Sequence, residues 1–558
     1  MRFSQLILVF ISLIQWQVSF AKPNEAAIAS AHPLATEAGI EILQLGGNAF
    51  DAAIAVSAAL AVVEPAGSGL GGGGFWLLHR AEDGFETMVD GRETAPEHAS
   101  RDMYLDEAGN ADKQRSLNGP LAAGIPGLPA ALDHMSKHYG VLPLSVVLAP
   151  AIRYAEEGFK VSSHYQQLAK YRLTTLKASP TASAIFLTDN QLPAVGDLII
   201  QTDLAKTLKA IADKGRSGFY QGDIATKLVN SVQQHGGIWT HSDLTNYQIK
   251  ERQPVKINYH GYQITSAALP SSGGIVIGSM LNQLSYLPYE TSSKVDKVHL
   301  LAEVMRRAYY DRSRFLGDAD FVTVPVKQLL DKAYGKQLAR SISLDKASND
   351  EKFNALKTDN KGEDTTHFSI IDHDGNRVAA TLSINYPFGS GFVAEGTGVL
   401  LNDEMDDFSA KVGSANGYGL LGNDKNAIEA GKRPLSSMSP TFIENDDKLM
   451  VIGTPGGSRI ITMVLLGMLD FMEGKSASDI VAAPRFHHQY SPNAIQIESI
   501  GFEHADLEAL KAKGHTFKPL DRQYGNMQVV IKNKISNTLS AASDPRGEGE
   551  SRVELISH

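Results

Sequence analysis

The run "TTHFSIIDHDGNRVAATLSIN", Thr365 to Asn385, constrains this chain more than any other stretch, because it opens an ordered sheet with no lead-in. Its two halves alternate, are rich in β-branched side chains, and are joined by Asp374-Gly375, a pair that readily takes positive φ. The segment therefore predicts a β-hairpin. The residues before it, "EKFNALKTDN" from Glu351 to Asn360, are polar and charge-rich with little to bury. A sheet thus starts abruptly at Thr365, far inside the chain, behind a segment with the character of a leader.

Hydroxyl chemistry gives that junction a second meaning. The chain has no cysteine, which removes every thiol nucleophile and leaves hydroxyls for covalent catalysis. A threonine hydroxyl is a weak nucleophile until a base takes its proton, and an α-amino group, with a pKa of about 8, can be that base when the threonine is N-terminal. Cleavage between Asp364 and Thr365 would create the amine. Attack of the same hydroxyl on the Asp364 carbonyl would make the cut, through an ester that water opens. On pattern alone two readings stand: a nucleophile awaiting exposure, and a surface loop leading into a hairpin, which is the commoner arrangement.

The rest of the composition sets the class. A chain of 558 residues with 43% hydrophobic content can bury a large core. No proline-rich or glycine/serine-rich linker, repeat or low-complexity tract divides it, so one interdigitated unit is expected. With 52 basic and 62 acidic residues, a net charge of -10 and no basic run, the chain is not built to neutralise phosphates, which argues against a nucleic-acid partner. At the N-terminus, Arg2, the apolar run "LILVFISLI" from Leu6 to Ile14 and the small-residue pattern Ser19-Phe20-Ala21 read as a signal peptide over residues 1–21, and so as export. The run is short for a bilayer span, and an uncleaved anchor is the alternative.

Several familiar signals fail on context. "GSGLGG", Gly67 to Gly72, matches G-x-G-x-x-G, but a dinucleotide site needs a strand before it and a helix after it. Here "DAAIAVSAALAVV" (Asp51 to Val63) reads as a helix before it and "FWLLHR" as a strand after it. Gly474-Lys475-Ser476 lacks the upstream glycine of a P-loop, since Leu469 stands there. His487 and His488 are adjacent, would point to opposite faces of a strand, and have no H-E-x-x-H helix beside them, so they read as structural rather than metal-binding.

Seven stretches, taken in order, change the weight of the Thr365 readings: "GGNAFDAAIAVSAALAVVEPAGSGLGGGGF", "DGRETAP", "DTTHFS", "NDEMDDFS", "KRPLSSMSP", "GTPGGSRI" and "APRFHHQ". Together they resemble the γ-glutamyltransferase family, also called glutathione hydrolases, over nearly all of the mature chain. The resemblance implies an α+β fold, the four-layer αββα sandwich of N-terminal-nucleophile hydrolases, made as a precursor that cuts itself. Residues 22–364 would form the large subunit and 365–558 the small one, a heterodimer with Thr365 at its new N-terminus. It also implies an exported enzyme, periplasmic or secreted, without metal or organic cofactor. That enzyme would take γ-glutamyl groups from glutathione and similar donors and pass them to water, amino acids or dipeptides.

The same resemblance assigns residues. Thr365 is the nucleophile, with Ser383 where the family commonly has a threonine bonded to it; Ser383 keeps the hydroxyl and loses the methyl that fixes the rotamer. Gly456 and Gly457 match the oxyanion hole, where backbone N–H groups must approach the substrate closely. Arg92 matches the arginine that binds the donor's α-carboxylate, with Ser436 and Ser437 assisting. Asn385, Glu404 and Asp407 match the set that accepts from its ammonium. Glu404 stands where many bacterial members have glutamine, which strengthens ammonium binding and shifts its pH dependence. "KVGSANGYGLLGNDKNAIEAGKR", Lys411 to Arg433, matches the lid-containing branch, with Tyr418 at the gating tyrosine's place. The lidless cephalosporin-acylase relatives are the runner-up enzyme, and an exported, catalytically silent binding protein on the same fold is a third possibility.

Overall fold

The expected hairpin forms the middle of a seven-stranded antiparallel sheet. Thr366–Ile371 pairs with Arg377–Ser383, with Leu382 opposite Thr366 and Arg377 opposite Ile371. Gly375 turns the chain at φ +92°. Asp372 organises the turn, its Oδ1 accepting from the N–H groups of Asp374 and Asn376 at 3.0 and 2.9 Å. The computed structural model describes residues 25–349, 365–411, 413–520 and 522–556. The segment expected to be a signal peptide and the junction ending at Asp364 lie outside the described residues.

The sheet runs Glu550–Leu555, Glu25–Ser30, Thr366–Ile371, Arg377–Ser383, Gly73–Arg80, Phe85–Asp90 and Lys250–Arg252. Because side chains alternate along a strand, Ile28, Trp76, Phe368, Ile370 and Val378 share one face and core, while Ala27, Ala29, Phe75, Leu77 and Ala379 turn to the other. Helices Pro33–Gln44, Ala49–Val63 and Leu128–His138 cover the first face. Ala49–Val63 is buried along its whole length. Its alanines are small enough to pack on every side, and Asn48 and Asp51 close its N-terminus as a capping box. Trp76 Nε1 donates to Ser57 Oγ at 3.0 Å and ties sheet to helix.

The second face packs on a six-stranded sheet, ordered Thr538–Ser543, Gln528–Asn533, Lys448–Gly453, Thr441–Glu444, Tyr262–Ser266 and Val255–Tyr259. Gly273–Leu284 and Ile460–Met472 lie on its outer side, with Lys294–Phe315 packed beside the first of them. The result is helix, sheet, sheet, helix, the αββα sandwich expected from the sequence.

The glycine run keeps its predicted context, a helix before it and a strand after it. A Cβ at Gly72 would overlap the Ser383 carbonyl oxygen, and one at Gly71 the Leu400 carbonyl oxygen. These glycines let the chain cross the end of the hairpin backbone to backbone. Among the described residues no helix is long and apolar enough to cross a membrane.

Candidate active site

The hairpin register sets the centre of the site. One step beyond the Leu382–Thr366 pair, Ser383 stands beside Thr365, and both are buried at one pocket. The sequence-expected residues other than Glu404 and Gly456 all line that pocket. Glu404 contacts Arg92, and Gly456 directly precedes Gly457.

Arg92 follows the strand Phe85–Asp90 and is 1% exposed. Its Nη1 donates to Glu404 Oε2 and its Nη2 to Asp407 Oδ2, each at 2.6 Å, while Nε reaches the Pro434 carbonyl at 3.3 Å. Glu93 Oε2 lies 3.7 Å from Nη1. The sequence assigns Arg92 to one substrate charge and Glu404 and Asp407 to the other; in the structure these groups also pair among themselves. One guanidinium thus faces three carboxyl groups in a desolvated site. Burial, reinforced by Glu404, pushes Glu93 well above its ordinary value. Burial pushes Glu404 up to about 7 against the pull of Arg92.

Glu404 and Asp407 occupy one short turn, Glu404–Asp407, and Asn402 fixes where it sits. Asn402 Oδ1 accepts from the N–H groups of Gly124 and Glu404 at 2.9 and 3.0 Å, and its Nδ2 donates to the Gly71 and Gly124 carbonyls at 2.7 and 2.8 Å. Asn385 is held in the left-handed region, φ +74°. Its N–H donates to Ser383 Oγ at 2.8 Å and its Nδ2 to the Asp403 carbonyl at 2.9 Å, which leaves Oδ1 as its acceptor.

The opposite wall is a serine turn. Ser436 N–H donates to the Pro270 carbonyl at 2.8 Å, and the Ser436 carbonyl accepts from Ser272 Oγ at 2.7 Å. Ser437 Oγ accepts from Arg312 Nη2 at 3.1 Å. Beyond it the strand Lys448–Gly453 delivers Gly456 and Gly457, both at positive φ, +138° and +55°. Only glycine takes these angles easily, and at Gly457 a Cβ would also overlap the Tyr418 ring.

Tyr418 belongs to a roof. Its hydroxyl donates to the Asn385 carbonyl at 2.7 Å and its ring lies 5.4 Å from that of Tyr386. Gly417 N–H donates to Asp406 Oδ2 at 2.7 Å, Asn416 Nδ2 to Asp407 Oδ1 at 3.0 Å, and Gln489 Nε2 to the Gly419 carbonyl at 3.1 Å. Gly417 is required for packing, since a Cβ there would press on the Tyr386 ring, whereas Gly419 turns at φ +73°.

The γ-glutamyltranspeptidase family model matches residues 35–553. The glutathione hydrolase proenzyme of Escherichia coli (strain K12) is 42% identical over 531 residues, 94% of this chain and 91% of the relative. The chain belongs to the γ-glutamyltranspeptidase family. Among solved structures, γ-glutamyltranspeptidase from Helicobacter pylori is 41% identical with a TM-score of 0.56, over 57% of this chain and 92% of that one. Cephalosporin acylase from Bacillus halodurans has a TM-score of 0.82 at 26% identity, covering 99% of each chain.

For this γ-glutamyltranspeptidase homologue, the histidines of "APRFHHQ" have structural surroundings. His487 bonds to Thr462 Oγ1 and Gln489 Oε1, each at 2.9 Å, and His488 Nδ1 accepts from Tyr490 N–H at 3.0 Å. Burial holds His487 at about 3 and His488 well below its ordinary value, so both are neutral. Through Gln489 the motif reaches the roof. Two polar residues of the site escaped the sequence reading. Glu93 adjoins Arg92 inside a motif already singled out, so an Arg-Glu pair in a predicted pocket was the available signal. Arg312 lies in "YYDRSRF", at the end of a polar helix, where nothing in the local pattern separates it from a solvated face.

Proposed function

We propose that this chain is an exported γ-glutamyl transferase and hydrolase that cuts itself before Thr365 into a large chain, 22–364, and a small chain, 365–558. The reading is carried by one observation: Thr365, a guanidinium, the Asp407 carboxylate, two serines and a glycine turn line a single pocket, with Glu404 bonded to that guanidinium. A γ-glutamyl head group carries a carboxylate and an ammonium on the same carbon, and the pocket holds partners for both. Its carboxylate would take Arg92, with the Ser436 and Ser437 hydroxyls. Its ammonium would take Asp407, Glu404 and Asn385 Oδ1, so that each charge released from the internal pairing finds a new partner. A donor with a carboxylate alone would leave Glu404 and Asp407 without an ammonium partner.

Thr365 Oγ would attack the γ-carbonyl while its own α-amine accepts the proton. The Gly456 and Gly457 N–H groups would bear the developing oxyanion, and the amine of the leaving peptide would depart protonated, leaving a γ-glutamyl ester on Thr365. Water would complete hydrolysis of that ester; an amino acid or dipeptide amine would complete transfer. Ser383, beside the nucleophile, would orient its hydroxyl. Tyr418 would close the pocket against bulk water while the acceptor approaches past it.

The test is maturation together with turnover. Wild-type protein should separate under denaturing conditions into two chains, the smaller beginning at Thr365, and should release p-nitroaniline from γ-glutamyl-p-nitroanilide, faster with glycylglycine. Thr365→Ala should remain one chain without activity. A cleaved Thr365→Ala protein, or a cleaved wild type inert toward both glutathione and the anilide, would overturn the reading.

A further inference from the structure

Arg312 is a buried cation beside the pocket that the reaction outlined above does not use. It sits in the last turn of the helix Lys294–Phe315, 5% exposed. Its Nε donates to Ser272 Oγ at 2.9 Å and its Nη2 to Ser437 Oγ at 3.1 Å. Among the described residues no carboxylate lies within ion-pair distance of it. Arg92, by contrast, has both Nη groups on carboxylates. A desolvated guanidinium served by neutral hydroxyls is only partly compensated, by Asp407 from beyond ion-pair distance, and burial lowers its affinity for the proton. The C-terminal end of its helix, with partial negative charge, offsets part of that cost.

The two hydrogen bonds give Arg312 a direction. Ser437 Oγ accepts from Arg312, so its own proton points elsewhere, and Ser437 faces the pocket. Ser272, the other acceptor, donates onward to the Ser436 carbonyl at 2.7 Å. Arg312 therefore braces both residues of the serine turn, one through its hydroxyl and one through its carbonyl. It also lines a cavity under the roof that adjoins the pocket at Asp407 and Leu420.

We propose that Arg312 is a positioning residue that fixes the Ser437 hydroxyl as a donor toward the substrate's α-carboxylate and places a positive charge without an ion-pair partner behind it. The carboxylate adds, through Ser437, to the partial balance that Asp407 gives Arg312 from a distance. This assignment rests on the pocket being a γ-glutamyl site.

Three anilide donors separate the roles: γ-glutamyl, with both charges; glutaryl, with the carboxylate alone; and 4-aminobutanoyl, with the ammonium alone. In Arg312→Gln, kcat/KM should fall by about ten- to a hundredfold for the two carboxylate-bearing donors, chiefly through KM, as expected for losing a hydrogen bond strengthened by charge. The 4-aminobutanoyl donor should be unaffected; where its turnover is too slow to follow, its inhibition constant against the γ-glutamyl donor is read instead. The ratio between donors cancels any change in the active fraction. Arg312→Lys, a point charge without the fork, should recover part of the loss, and Ser437→Ala should remove most of the sensitivity to Arg312. Equal losses on all three donors, or failure of both Arg312 variants to mature into two chains, would assign the arginine to folding alone and overturn the proposal. A matured wild type inert toward the γ-glutamyl donor would instead sink the reading of the pocket.

Discussion

The Arg92 cluster and the roof over Tyr418 close the same pocket by opposite means. In the cluster, one guanidinium and three carboxyl groups are packed together, and each charge depends on the others because Arg92, Glu93 and Glu404 are buried and only Asp407 keeps partial access to water. In the roof, Tyr418, Asn416 and Gly417 are held by hydrogen bonds among largely neutral groups, with Asp406 and Asp407 accepting two of them. Removing a member of the first group leaves an uncompensated buried charge; removing one from the second leaves groups that water can satisfy. Recognition and stability are therefore coupled at the cluster and separable at the roof.

Arg92→Ala should break this contrast most severely. Stranding Glu404 and Asp407 should cost on the order of 3–5 kcal/mol of stability, read from urea unfolding, and should abolish most donor binding in kcat/KM. Arg92→Lys should recover part of both. If Arg92→Ala bound donors and unfolded like wild type, the cluster would be neither a recognition site nor a coupled one.

Glu404→Gln sharpens the comparison through pH. Folded Glu404 protonates at about 7, against an ordinary value of 4.5. The folded state thus holds this proton more tightly, so the stability it contributes is complete below about 4.5 and is lost as pH rises through about 7. Binding has the opposite sign, because the charge that meets an ammonium appears only above about 7. Raising pH through neutrality should increase kcat/KM while lowering the unfolding midpoint, and Glu404→Gln should flatten both trends. The rise due to the Thr365 amine remains in both proteins. A Gln variant with the wild-type pH profile would remove Glu404 from ammonium binding.

Tyr418→Ala should have the smallest effect. Maturation and the unfolding midpoint should stay near wild type. The preference for γ-glutamyl over glutaryl anilide should fall severalfold, and the response to glycylglycine should change, since water gains access to the ester. Unchanged preference and unchanged transfer would make the segment a connecting loop and erase the contrast between the two regions.

Local pattern carried the parts of the fold that local physics decides. Alternation and the Asp374-Gly375 turn gave the hairpin, and the hairpin alone sets Ser383 beside Thr365. The alanine run gave a helix that only a fully buried position could use. What the sequence could not show were the partners of buried charges. Arg92 meets Glu404 across 312 positions, and Arg312 meets Ser437 across 125. The helix Lys294–Phe315 looks solvated by composition, yet Glu303, Arg306, Arg307 and Arg312 are all buried in it. Such pairings follow from how sheets and helices stack, and no local periodicity encodes them.

The order of strands has a consequence for a chain severed before Thr365. Glu25–Ser30, upstream of the cut, is laced between Glu550–Leu555 and Thr366–Ile371, both downstream. Gly73–Arg80 is seamed to Arg377–Ser383, and Tyr262–Ser266 to Thr441–Glu444 in the other sheet. The two pieces are woven rather than docked: each supplies threads to both sheets, and neither owns a complete one. Losing one peptide bond would loosen none of these seams, while pulling the pieces apart would unravel both sheets. Such a molecule would be two chains by covalent count and one by every measure of its folding.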